Sequence, residues 1–184
     1  MQLGTSPSPA FSTPTHYFEY TLANKIQQIS NDAPGSAALS SYMINFLVLP
    51  TGQILKTDNR HGIHVYTPGG LSRAAWAPVI TFIPSTLLRG SGNLVLGTQL
   101  NGLSEAGAYG DDQQSSTNYP LVRLRNNKTG HIFYCRTVGQ TTRSIAPNQT
   151  SSAAFDVPTA AETGPSTAVV VVNGITSAAN VTVQ

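Results

Sequence analysis

The chain contains four histidines, the side chains best suited to act as metal ligand or general base near neutral pH. His61 and His64 stand three residues apart in NRHGIHVY. Side chains on a strand repeat every two residues, so this spacing places the two imidazoles on opposite faces. A zinc site normally takes four ligands, and only His16 and His131 remain to add an imidazole. No metal and no other cofactor is expected from this pattern. Glu105, Asp111 and Asp112 fall in GLSEAGAYGDDQQSSTNYP. With Asn118 and nearby carbonyls they offer hard oxygen donors, which makes them the candidate calcium ligands. Their spacing matches no EF-hand loop, and aspartate pairs also serve turns by bonding the backbone.

Nucleophiles fare no better. Ser104, in GLSEAG, lacks the G-x-S-x-G spacing of a nucleophile elbow, and a hydrolase would also need a histidine held beside it. Cys135 is the sole cysteine, which excludes an intramolecular disulfide. Its place in HIFYCRT, beside aromatics, suits a buried and inert thiol. No catalytic residue is assigned, and the chain is not expected to be an enzyme. Tyr66 and Tyr109 have the chemistry of a sugar-binding surface, while Trp76, in WAP, suits packing between modules. Asn127, Asn148 and Asn180 head N-x-T sequons, the acceptor pattern for glycosylation in a eukaryotic secretory pathway.

The elements that must position these residues read as strands. MQLGTSPSPAF and the residues to 15 are rich in Ser, Thr and Pro and suggest an extended lead-in. Phe18, Tyr20 and Leu22 alternate with polar residues, giving a strand with its apolar face on the even positions. YMINFLVLP, a turn centred on Thr51 and Gly52, and QILKT form a hairpin, and IHVYTP adds a third strand. Three short strands joined by tight turns make a β-meander, the topology of a propeller blade. After GGLSRAAWAP come VITFIP, NLVLGTQL, PLVRLRN, HIFYCRT, AAFDVP, AVVVVNG and NVTVQ. In PLVRLRN, Val122 and Leu124 share one face and Arg123 and Arg125 the other. AVVVVNG fits a central strand buried on both faces. Regularly spaced short strands without helical periodicity predict an immunoglobulin-like sandwich.

Composition bounds the function. Charged residues make up 10% of the chain, well below the roughly 25% of average soluble domains. The ten cations are scattered, with no basic run interleaved with aromatics, so nucleic acid is not an expected partner. No apolar run approaches the roughly 18 residues of a membrane span. The first residues lack the charged start and apolar stretch of a signal peptide, so either an export signal has been removed or the protein is not secreted by that route.

The succession YMINFLVLPTGQIL, IHVYTP, WAPVITFIP and PSTAVVVVNGITSAANVTV resembles the C-terminal end of galactose-oxidase-like and kelch-type proteins, over roughly residues 17–184. The resemblance implies the last blade region of a β-propeller followed by an early-set immunoglobulin-like domain. That family holds copper with two tyrosines and two histidines, one Tyr–His pair lying just before the blade hairpin. Tyr42–Met43 stands at that place, with methionine where the family has histidine. The second histidine belongs to a loop that reads VGQTTRSIAPNQT here and contains none. A thioether does not replace an imidazole on Cu(II), so the resemblance implies a relative without the copper chemistry.

These readings converge on an all-β chain. Residues 1–15 are expected as a lead-in, 16–76 as a blade-like antiparallel meander and 77–184 as an immunoglobulin-like β-sandwich. The expected role is a non-catalytic structural or binding module, secreted or at the cell surface. Its N-terminal β extension is expected to assemble with other subunits, and a glycan is the other expected partner. The rival readings are the C-terminal fragment of a galactose-oxidase-like copper oxidase and a carbohydrate-binding domain.

Overall fold

The computed structural model describes residues 2–5, 15–21, 25–29, 43–58, 62–103 and 119–184. It is all-β, and no helix of seven residues or more occurs among the described residues. The chain divides into two compact units: the described residues up to Gly69, other than Leu49–Gly52, belong to the first, and Leu49–Gly52 with the described residues from Gly70 onward belong to the second.

The first unit holds two three-stranded antiparallel sheets. One consists of β1 (Gln2–Thr5), β2 (Tyr17–Thr21) and β3 (Lys25–Ile29), in that order. Gln2–Thr5 is thus a paired strand, where Ser/Thr/Pro composition suggested only a lead-in. The other sheet is the meander β4 (Ile44–Val48), β5 (Ile54–Asp58) and β6 (Ile63–Tyr66). The turn joining β4 to β5 centres on Pro50 and Thr51, with the Gly52 amide donating to the Leu49 carbonyl at 2.9 Å. Gly52 takes φ +82°, the left-handed residue that follows a type I turn in longer hairpins.

The inward side of β2 differs from the expectation drawn from Phe18 and Tyr20. Tyr17 is the buried residue, at 3% exposure, whereas Tyr20 is exposed. Its ring meets Phe46 of β4 edge-on, with centroids 6.3 Å apart, and carries the Lys56 ammonium 4.5 Å from its centre. Tyr66 donates its hydroxyl to the Glu19 carboxylate. Odd positions of β2 therefore serve the core, because Tyr17 and Glu19 have partners on β4, β5 and β6 and their even neighbours do not.

The second unit contains β7 (Val79–Phe82), β8 (Thr86–Leu87), β9 (Gly92–Thr98), β10 (Leu121–Asn126), β11 (Ile132–Val138), β12 (Thr150–Asp156), β13 (Gly164–Val172) and β14 (Ile175–Val183). Their order is β7-β9-β12-β11-β10-β13-β14-β8. All pairings are antiparallel except β14 with β8. Strand β11 divides its bonds: Ile132–Cys135 pair with β10, and Arg136–Val138 pair with β12. The two halves of the sheet that it joins share one apolar cluster. Val95, Ala153 and Phe155 come from one half, and Val122, Leu124, Ala168, Val170 and Val183 from the other. Strand β13 is buried on both faces, since Val169 and Val171 are buried as well as Val170 and Val172.

Gly97 lets β7 approach β9. A Cβ there would lie 2.0 Å from the Val79 carbonyl oxygen, well inside van der Waals contact. The register between these strands slips between Ile80 and Phe82, a bulge next to the glycine.

Candidate functional site

Alternation along β10 and β11 gathers three arginines on one outward face of the second unit. On β10, Val122 and Leu124 turn into the core, so Arg123 and Arg125 turn outward. On β11, Cys135 points inward, so Ile132, Tyr134 and Arg136 point outward. The antiparallel register sets Arg123 directly opposite Tyr134 and Arg125 opposite Ile132. Directly paired side chains start about 5 Å apart, and same-face neighbours along a strand about 7 Å apart. Tyr134 is therefore flanked by Arg123 across the ladder and by Arg136 along it. The face continues onto β13, where Val169 is opposite Arg123 and Thr167 opposite Arg125.

The β10–β11 turn fixes this register. Asn126 is buried, and its Oδ1 accepts the Lys128 and Thr129 amides at 2.9 and 3.0 Å. Its Nδ2 donates to the Thr163 carbonyl at 3.2 Å. The Gly130 amide closes the loop onto the Asn126 carbonyl at 2.9 Å, with φ +78° at the glycine. A one-residue slip here would turn the arginines inward and the valines outward.

Tyr134 is 52% exposed, Arg125 and Arg136 are exposed and Arg123 is half-buried. Among the described residues, none of these three guanidinium groups makes a side-chain hydrogen bond or an ion pair. Two other cations of this unit are engaged. Arg143 donates to the Tyr119 hydroxyl at 2.9 Å and lies 5.6 Å from its ring centre, and Arg73 lies 5.4 Å from the Trp76 ring. Asp156, opposite Arg136 in the register, is the acidic residue paired with this face. At the turn end, Glu162 accepts from Thr129 and is 2.7 Å from His131 Nδ1. Those two bonds, Thr129's first, hold the Glu162 carboxyl below its ordinary value. Such a face can hold an anion by paired N–H donors and stack a flat apolar ring on the tyrosine.

Among the described residues, the candidates drawn from the sequence stand apart from one another. Glu105, Asp111 and Asp112, with Ser104, Tyr109, His61, Tyr42 and Asn118, lie outside the described residues. His64 sits half-buried on β6, His16 is 3.0 Å from the Gln28 amide and His131 is held at Glu162. No group of three or more potential metal ligands occurs among the described residues. Cys135 is buried opposite Val122. Desolvation, and then the nearby Asp156 carboxylate, push its thiol up to about 12. Asn127, Asn148 and Asn180 are all exposed. Asn127 Oδ1 accepts the Thr167 hydroxyl at 2.8 Å, Asn148 takes φ +62° ahead of β12, and Asn180 is opposite Thr167 on β14.

Arg123, Arg125, Tyr134 and Arg136 were not among the site residues drawn from the sequence. The signal for Tyr134 and Arg136 was the alternation around Cys135, which puts them on the outer face. What brings them beside Arg123 is the pairing of two strands, and no count along the chain shows that. No helix among the described residues is long and apolar enough to cross a membrane. No known family model and no curated protein matches this chain.

Proposed function

We propose that the chain is a non-catalytic extracellular binding module that presents the outer face of β10 and β11 to a partner. One observation carries this reading: among the described residues Arg123, Arg125 and Arg136 make no side-chain hydrogen bond or ion pair, and Arg123 and Arg136 flank the half-exposed Tyr134. Sites on strands hold their geometry better than sites on loops. The strand order supports reading the second unit as an immunoglobulin-like sandwich. Strands β7, β9 and β12 form one half, β10, β13 and β14 the other, and β11 is shared between them. The resemblance to the C-terminal end of galactose-oxidase-like proteins supports the same reading, and the methionine at position 43 supports the absence of oxidase chemistry.

Reconstitution with Cu(II), followed by metal analysis and visible spectroscopy, tests the non-catalytic part. The expected result is less than stoichiometric copper and no tyrosyl-radical band. Stoichiometric copper with that band, together with peroxide formation on a sugar alcohol, would replace this reading with the oxidase one.

A further inference from the structure

The outer face of β10 and β11 has a chemistry narrower than binding in general. We infer that Arg123, Arg125, Tyr134 and Arg136 form a site for an acidic polysaccharide, a chain of pyranose rings bearing carboxylate or sulfate groups. The inference rests on the reading of this chain as a binding module and names its ligand class.

Charge complementarity is the first argument. Three of the chain's ten cations fall on one patch, and among the described residues none of the three makes an ion pair, with Asp156 opposite Arg136 as an acidic neighbour. The guanidinium fork matches the two oxygens of a carboxylate or sulfate in a way an ammonium does not, and all three cations here are arginines. The second argument is the tyrosine between them. A half-exposed ring on a flat sheet offers an apolar surface to the C–H face of a sugar and a hydroxyl at its edge. The third is the ground around it. Thr167 of β13 and Ala178 and Asn180 of β14 carry the same face across two more strands with small or polar side chains, around Val169, which is buried opposite Arg123.

Nucleic acid shares the anionic charge and the stacking, but the patch is small for it. Three guanidinium groups stand against the roughly six to ten phosphate contacts of strongly salt-dependent nucleic-acid binders. Around the tyrosine the patch is a cation–tyrosine–cation row, with Ile132 the exposed apolar side chain beside Arg125, a smaller apolar centre than a protein interface presents.

The test is a set of titrations of the full chain at about 50 mM salt, a condition that favours surface charge pairing. The probes are polygalacturonate, heparin, neutral dextran and oligo(dT). Saturable binding to polygalacturonate or to heparin, with none to dextran, is expected, and whichever binds tells whether carboxylate or sulfate is recognised. Replacing Arg123 and Arg125 by Gln should weaken that binding at least about tenfold, the scale of lost charge-assisted hydrogen bonds. Tyr134→Ala should weaken it about three- to tenfold. Both variants change outward-facing positions, and circular dichroism checks that they fold. Binding to neither acidic glycan, equal binding by the arginine variants, or tighter binding to oligo(dT) than to either glycan overturns the inference. Reducing ends and peroxide are measured in the same samples. Glycan that is bound and then converted would refute the non-catalytic reading while leaving the ligand assignment standing.

Discussion

A thiol and a guanidinium group only one strand apart meet opposite fates in this fold. Cys135 and Tyr134 are sequence neighbours, yet one lies in the core and the other offers its ring to solvent. For Cys135, burial raises the thiol to about 12, so its thiolate is scarce at any ordinary pH. The unfolded thiol ionises from about 9, so the stability this residue contributes is fully present below that value. It is lost as pH rises from there through the folded value. A disulfide reagent at pH 8 should therefore react with Cys135 at least ~100-fold more slowly in the native chain than in urea. Comparable rates in the two states would show that the thiol is not buried. The inert nature of Cys135 was legible in HIFYCRT. The fate of Arg123 was legible only in part: its outward direction followed from alternation, whereas its freedom from a partner depends on what the fold sets around it.

At the scale of elements, the readable strands were those with a strong alternation or an unbroken β-branched run. PLVRLRN, HIFYCRT and AVVVVNG became β10, β11 and β13. Gln2–Thr5 and Thr86–Leu87 escaped because short strands carry too few residues to display a period. In β2 the alternation was visible but its inward face was not. Two aromatics on even positions outweighed Tyr17 by eye, and burial was decided by Phe46 and Lys56 on other strands. Gly97 is a further case, since nothing in NLVLGTQL shows that a carbonyl must pass over it. Gly97→Ala should cost more than about 2 kcal/mol, because either the backbone of β7 or that of β9 has to move. Thermal unfolding checks this, and an unchanged Tm would mean that β7 is not held against β9 as described. The acidic candidates Glu105, Asp111 and Asp112 rested on composition without a ligand period, the weakest kind of signal for a cation site.

At the scale of the whole molecule, the two units manage their sheet edges differently. In the first unit, β1 and β3 end one sheet and β4 and β6 end the other. Ile26 and Ile63, on two of these terminal strands, are 70% and 69% exposed. Terminal strands with exposed apolar side chains invite pairing with another chain. Light scattering across a concentration series is therefore expected to show reversible association that Ile26→Lys with Ile63→Lys suppresses. A single mass at every concentration would count against assembly through these edges. The second unit instead sets its short strand β8 alongside its last strand. Thr86 and Leu87 pair in parallel with Thr182 and Val183, and the Arg89 amide donates to the Gln184 carbonyl at 2.8 Å. That arrangement sets a timetable for synthesis. On the ribosome, Leu87 emerges long before its partner exists, and β13 waits for β14 before its own second edge is covered. The unit can close only after residue 183 has cleared the exit tunnel, so the nascent chain must keep its valine-rich strand from other company until translation has passed that point.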